Sequence, residues 1–133
     1  MRRRPKRILI IDDEDDIREV AQVGLEAVGG FEVVTARSGH EGLEKAARER
    51  PDAILLDVMM PGMDGPTTFQ RLQENADTRA IPVILLTAKV QAADRRWFAD
   101  LGVTAVLSKP FDPMKLADEV AGELGWNGAG PDS

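Results

Sequence analysis

Residues 54–65 read ILLDVMMPGMDG. An apolar run, Ile54-Leu55-Leu56, meets a single carboxylate at Asp57, and the chain then passes through Met59 and Met60 into Pro61-Gly62 and Asp64-Gly65. A continuous apolar run, rather than an alternating one, is the pattern of a strand buried on both faces of a sheet. The Pro-Gly and Asp-Gly pairs turn the chain afterwards. The same kind of run recurs as Ile8-Leu9-Ile10-Ile11, Val83-Ile84-Leu85-Leu86 and Ala105-Val106-Leu107, with a weaker version at Phe31-Glu32-Val33-Val34-Thr35. Between the runs the apolar residues take helical spacing: Ile17, Val20, Ala21 and Leu25; Leu43, Ala46 and Ala47; Phe69 and Leu72; Val90, Ala93, Trp97, Phe98 and Leu101; Leu116, Val120 and Leu124. Gly29-Gly30 ends the first helix, Ser38 with Glu41 has capping-box spacing, Pro51 marks the exit from the second helix, and Pro66 and Asp112-Pro113 open the third and the last. The order is therefore βαβαβαβαβα. That alternation predicts an α/β fold, doubly wound, with a five-stranded parallel sheet covered on both faces.

The 133 residues suit one domain. They divide into a basic arm at 1–5, a folded domain at 6–124 and a tail at 125–133. The composition, 43% hydrophobic and 30% charged, supports one core and a solvated surface. The absence of cysteine excludes disulfides, thiol catalysis and thiolate metal sites. MRRRPKRILII has too short an apolar part for a secretory signal, and no run reaches membrane-spanning length, so the expected location is cytoplasmic. A net charge of −6 argues against direct nucleic-acid binding. The exception is Arg2, Arg3, Arg4, Lys6 and Arg7, which read as a solvated terminus or as an arm for an acidic partner.

In an open parallel sheet ligands bind beyond the carboxyl ends of the strands, where strand order reverses. The first strand runs into Asp12-Asp13, the third ends on Asp57, the fourth on Thr87 and the fifth on Ser108-Lys109. With the order 2-1-3-4-5 the three acids meet at the switch point, flanked by Thr87 and Lys109. Three carboxylates and one ammonium leave a formal charge of about −2, which a hard divalent cation balances; Mg²⁺ suits a few oxygen ligands plus water. An ionised Asp is also a nucleophile for a phosphoryl group, and Thr87 and Lys109 are a hydrogen-bond donor and a cation for it. Any one of these acids alone also reads as a helix or turn cap, and Asp15 and Asp16 read as first-turn residues favoured by the helix dipole.

Four motifs, ILIIDDEDDIRE, ILLDVMMPGMDG, IPVILLTAK and VLSKPFDP, stand in this order over about residues 6–124. Through them the chain resembles the response-regulator receiver domains of two-component signalling, in their stand-alone, chemotaxis-regulator form. The resemblance implies a flavodoxin-like sheet of order 2-1-3-4-5 with five helices. It implies Asp57 as the phosphoacceptor, modified from a phosphohistidine on a sensor histidine kinase or phosphotransfer protein. It implies Mg²⁺ held by Asp12, Asp13, Asp57 and the Met59 backbone carbonyl, Thr87 hydrogen-bonded to the phosphoryl group, Lys109 paired with it, and a cis peptide before Pro110. A downstream protein would read the face made by the fourth helix, fifth strand and fifth helix, or the phosphoryl group would pass on by phosphorelay.

The sequence departs from the family at one position. Three residues before the lysine these domains usually carry Tyr or Phe, whose ring moves inward when the threonine shifts. Here the residue is Val106, which has no ring to move. Met59 and Lys89 stand at the family's tuning positions. Met59 is expected to hinder water from reaching the acyl phosphate, and Lys89 to pair with the phosphoryl group or with solvent. Trp97 reads either as core or as an interface anchor. His40, the one histidine, reads as an ordinary surface residue. The fifth helix, KLADEVAGEL, lacks the basic residues of receiver dimers, which favours a monomer. Two enzyme or carrier readings compete. A Mg²⁺-dependent phosphohydrolase with an Asp nucleophile wants a second Asp where Met59 stands. A flavin carrier wants a Ser/Thr/Gly-rich loop where DDEDD stands. A receiver cut from a larger regulator is the third alternative.

Overall fold

The computed structural model describes residues 4–88 and 92–126. Arg2, Arg3, Lys89, Val90 and the tail from 127 onward lie outside the described residues, as does the side chain of Ala93. Five strands, β1 (Arg7–Ile11), β2 (Glu32–Ala36), β3 (Ala53–Asp57), β4 (Val83–Thr87) and β5 (Ala105–Ser108), form one parallel sheet of order β2-β1-β3-β4-β5. The helices are α1 (Asp15–Val23), α2 (Gly39–Glu49), α3 (Gly65–Glu74), α4 (Ala92–Leu101) and α5 (Leu116–Leu124). This is the predicted fold class and strand order.

The continuous apolar runs are explained by the two faces of the sheet. Side chains alternate along a strand, so Ile8, Ile10, Leu55, Ile84, Leu86 and Leu107 form one layer with Ala21, Leu25, Leu116, Ala117 and Val120 of the α1 and α5 side. Leu9, Ile11, Ile54, Leu56, Val83 and Leu85 form the other with Ala46, Phe69, Leu72 and Phe98 of the α2, α3 and α4 side. Each fully buried Leu or Ile contributes on the order of 1.5–3 kcal/mol of transfer free energy. Between them the two layers bury residues 8–11 of β1 and all of β3 and β4, which is why no polar alternation survives there. Among the described residues no helix is long and apolar enough to cross a membrane.

Five local expectations are refined. Val20 is exposed, whereas Ala21 and Leu25 are buried. At 3.6 residues per turn Val20 lies about 120° round the helix from the midline of Ala21 and Leu25, outside the buried stripe. Helix α1 also passes into a π-helical segment, Gly24–Val28, before Gly29 ends it. The last helix begins at Leu116 rather than at Asp112. The Asp112 carboxylate accepts the Met114 N–H (2.9 Å) and its carbonyl accepts those of Lys115 and Leu116, so a tight turn precedes the helix. Ser38 caps α2 by accepting the Glu41 N–H (3.1 Å), and Glu41 reaches back to the N–H of Arg37 (2.7 Å) instead of that of Ser38. Trp126, in the segment read as a tail, packs on Phe31 with Lys6 over its ring.

The turn between β3 and α3 places the end of β3 against a helix start. Asp64 caps α3 by accepting the Thr67 N–H (2.8 Å), and Pro66 sits in the first turn. The Gly65 N–H donates to the Val58 carbonyl (2.9 Å), and a Cβ on Gly65 would collide with the Asp57 carbonyl oxygen and the Val58 Cα. Gly65→Ala is therefore expected to destabilise the protein by about 1–3 kcal/mol, as overpacking does, measured as a lowered urea midpoint at unchanged m-value.

Candidate functional site

The ladders continue past the strand ends and so fix the backbone of each acidic and basic residue. The Asp12 N–H donates to the Ala36 carbonyl (3.1 Å), the Val58 N–H to Leu86 (3.0 Å) and the Lys109 N–H to Thr87 (2.9 Å). Asp57 and Thr87 are the last residues of β3 and β4, and Asp12 and Lys109 directly follow β1 and β5. Asp12, Asp57 and Thr87 are buried, and Asp13 lies nearer solvent.

Lys109 organises the cluster. Its Nζ lies 2.8 Å from Asp12 Oδ2 and 3.0 Å from Asp57 Oδ1, with the exposed Glu14 at 3.5 Å. Ligand oxygens of Asp12, Asp13 and Asp57 all lie within 4.8 Å of one another. These oxygens fit a hard divalent cation of the Mg²⁺ class.

The charges are tuned by burial and by one another. Desolvation pushes the Asp57 carboxyl up to about 6; the Lys109 hydrogen bond opposes this, and the neighbouring Asp12 charge adds to it. Burial works to lower the Lys109 pKa, but its bonds to Asp12 and Asp57 outweigh that, and the net shift is upward. Lys109 is therefore an ammonium at neutral pH, and Asp57 is a carboxylate that a second positive charge would stabilise further.

Two supporting contacts were not read from the sequence. The Arg18 guanidinium donates to the Asp12 carbonyl (2.8 Å) and pairs with Asp15. The Glu14 N–H donates to Asp12 Oδ1 (2.9 Å), so Asp12 both organises the start of α1 and meets the lysine. The i,i+3 spacing of Asp15 and Arg18 signals the pair; nothing local signals the reach to the Asp12 carbonyl.

The remaining predicted positions are distributed as follows. Met59 follows β3 in the loop to α3 with an exposed side chain. The Lys109–Pro110 peptide is cis. Val106, half-buried on β5 opposite Leu85, packs against the α2–α4 layer. Lys89 lies outside the described residues. Trp97 is 53% exposed and touches Phe98 edge-on (5.1 Å), and it is Phe98 that enters the core. His40 is exposed on α2, as expected of a surface residue. A groove of about 200 Å³ runs between α4, β5 and α5, lined by Ala99, Val103, Thr104, Ala105, Val106 and Glu123.

Comparison with known proteins gives one consistent family. The model of the response regulator receiver domain matches residues 8–121. The alkaline phosphatase synthesis transcriptional regulatory protein PhoP of Bacillus subtilis is 39% identical over 111 residues, 84% of this chain and 45% of its own length. The response regulator PleD of Caulobacter vibrioides is 44% identical over 110 residues, 83% of this chain and 24% of its own length. The chain thus spans less than half of these two relatives. Among solved structures, the chemotaxis response regulator CheY4 of Vibrio cholerae superposes with a TM-score of 0.84 at 30% identity, covering 90% of this chain and 99% of that one.

The raised Asp57 pKa fixes the sign of a pH effect. The folded protein holds this proton more tightly than the unfolded chain, whose value is 3.8. Asp57 therefore contributes stability at low pH that is lost as pH rises through about 6. In chelator, Asp57→Asn is expected to be more stable than the parent by up to about 3 kcal/mol at pH 7.5, with the gap narrowing at pH 5. Urea titrations of both proteins across this range measure it.

Proposed function

The chain belongs to the response regulator receiver family, and on that premise we propose that Asp57 accepts the phosphoryl group that drives its switch. Receiver domains of this family are the phosphorylation-dependent, non-enzymatic signalling modules of two-component systems. The observation that carries the assignment is the Lys109 ammonium bridging two buried carboxylates at the carboxyl edge, one of which ends the central strand β3. Asp12, Asp13, Asp57 and the Met59 carbonyl would hold Mg²⁺, which when bound supplies positive charge to the phosphoryl oxygens.

The chain's own groups do the rest. The Asp57 carboxylate attacks phosphorus in line while the donor histidine of a sensor kinase or phosphotransfer protein leaves. Lys109 neutralises the incoming charge and Thr87 donates its hydroxyl to a phosphoryl oxygen. The acyl phosphate carries about −1.5 to −2 charge units in place of the carboxylate's single charge, a net gain of about one negative charge or less. Lys109 then exchanges part of its bonding with Asp12 and Asp57 for the new group. Its N–H is tied to the Thr87 carbonyl, so the two loops move together. With Val106 in place of a ring, this backbone link is the route to the α4–β5–α5 face, where a downstream protein binds the monomer. Residues 6–124 make up the receiver, between the arm at 1–5 and the tail at 125–133.

Incubation with acetyl phosphate and Mg²⁺ is expected to add one phosphoryl group by intact-mass analysis, lost in Asp57→Asn and lost with chelator. An adduct elsewhere overturns the assignment. The phosphorylated Met59→Asn protein is expected to decay faster than the parent by about threefold or more, read from the same mass series over time.

A further inference from the structure

Four methionines are described, and they divide sharply. Met60 and Met63 are each 8% exposed, and Met60 belongs to the α2–α4 layer of the core. Met59 is 78% exposed and Met114 is 68% exposed. Both exposed thioethers stand in loops that leave the carboxyl edge of the sheet: Met59 two residues after Asp57, and Met114 five residues after Lys109. Two peptide units span at most about 7.6 Å between Cα atoms, so Met59 starts no farther than that from the Asp57 backbone. The chain has no cysteine. No thiol therefore competes for a peroxide, and thioether sulfur is the group that such an oxidant meets first.

We propose that Met59 is an oxidation site whose conversion to the sulfoxide shortens the lifetime of the phosphorylated state. The inference rests on the receiver reading above and adds a chemical input to it. In the step, a sulfur lone pair attacks one oxygen of a peroxide. The S–O bond forms, the O–O bond breaks, and the departing hydroxide leaves with the proton of the transferred oxygen as water. Sulfur is oxidised by two electrons and the peroxide is reduced. A flexible apolar side chain thereby becomes a polar one with a strong hydrogen-bond acceptor. Beside an acyl phosphate the thioether excludes water, whereas the sulfoxide binds and orients it. Buried Met60 and Met63 stay reduced, so the core is unaffected. Met114 oxidises alongside Met59 but leaves the lifetime unchanged, which makes it an internal measure of dose.

The full chain is treated with hydrogen peroxide, mapped by peptide mass, then phosphorylated with acetyl phosphate and Mg²⁺ and followed by intact mass. The expected result is one added oxygen each on Met59 and Met114 before either buried methionine, with phosphoryl decay faster by about threefold or more. Methionine sulfoxide reductases should restore the slower decay. Met114→Leu should keep the response, and Met59→Leu, whatever its own baseline, should show none. Equal oxidation of Met59, Met60, Met63 and Met114, unchanged or slower decay, or a response that survives in Met59→Leu overturns the inference alone. Absence of any phosphoryl adduct on unoxidised protein overturns the receiver reading, and this inference with it.

Discussion

The arrangement depends on one mostly buried ammonium between two buried carboxylates. Lys109 reaches Asp12 and Asp57 from the far end of the chain, and without it two acids would share a water-poor edge uncompensated. Removing the lysine would be costly because the two remaining carboxylates would have no positive partner between them. Even with the lysine in place, the balance is incomplete: burial holds the Asp57 pKa up at about 6, and among the described residues three acids face one cation. The site therefore sits at a residual negative charge that a divalent cation reduces. That incompleteness leaves the edge able to take up further positive charge.

The parallel sheet is what brings those groups together. β1 and β3 lie side by side although α1, β2 and α2 separate them in sequence, and β4 and β5 follow on the same flank. Because all strands run one way, their last residues all emerge at one edge, and the two apolar layers lock the register that aims them. Strand burial and site geometry are thus a single constraint. Shifting β3 by one residue would exchange its two faces and turn Asp57 out of the cluster.

Much of this was legible in the residues. Continuous apolar runs are satisfied between two helical layers, and four of them with a weaker fifth, alternating with helical stripes, leave few topologies. Three acids, a threonine and a lysine at four strand ends, read with the family motifs, located the cluster. Less legible were features set by angle rather than by spacing. Val20 fits a helical stripe by interval yet falls outside it by rotation, and Trp97 and Phe98 are adjacent, so periodicity alone did not say which enters the core. The turn at Asp112 looked like a helix start because the same side chain serves both purposes. Arg18 gave no sign of reaching the Asp12 carbonyl, since a long side chain can extend along the helix or across its end.

The sequence by itself determined which segments are buried, their order, and the chemical character of the carboxyl edge, because burial pattern and residue type are local properties. Only the tertiary structure decided that Lys109 lies within hydrogen-bond distance of both Asp12 and Asp57, that burial raises Asp57, and that Met59 faces solvent while Met60 beside it is packed. Those properties depend on what lies across the sheet and around each atom. Desolvation and charge pairing act through space, between groups whose separation along the chain carries no information about their distance.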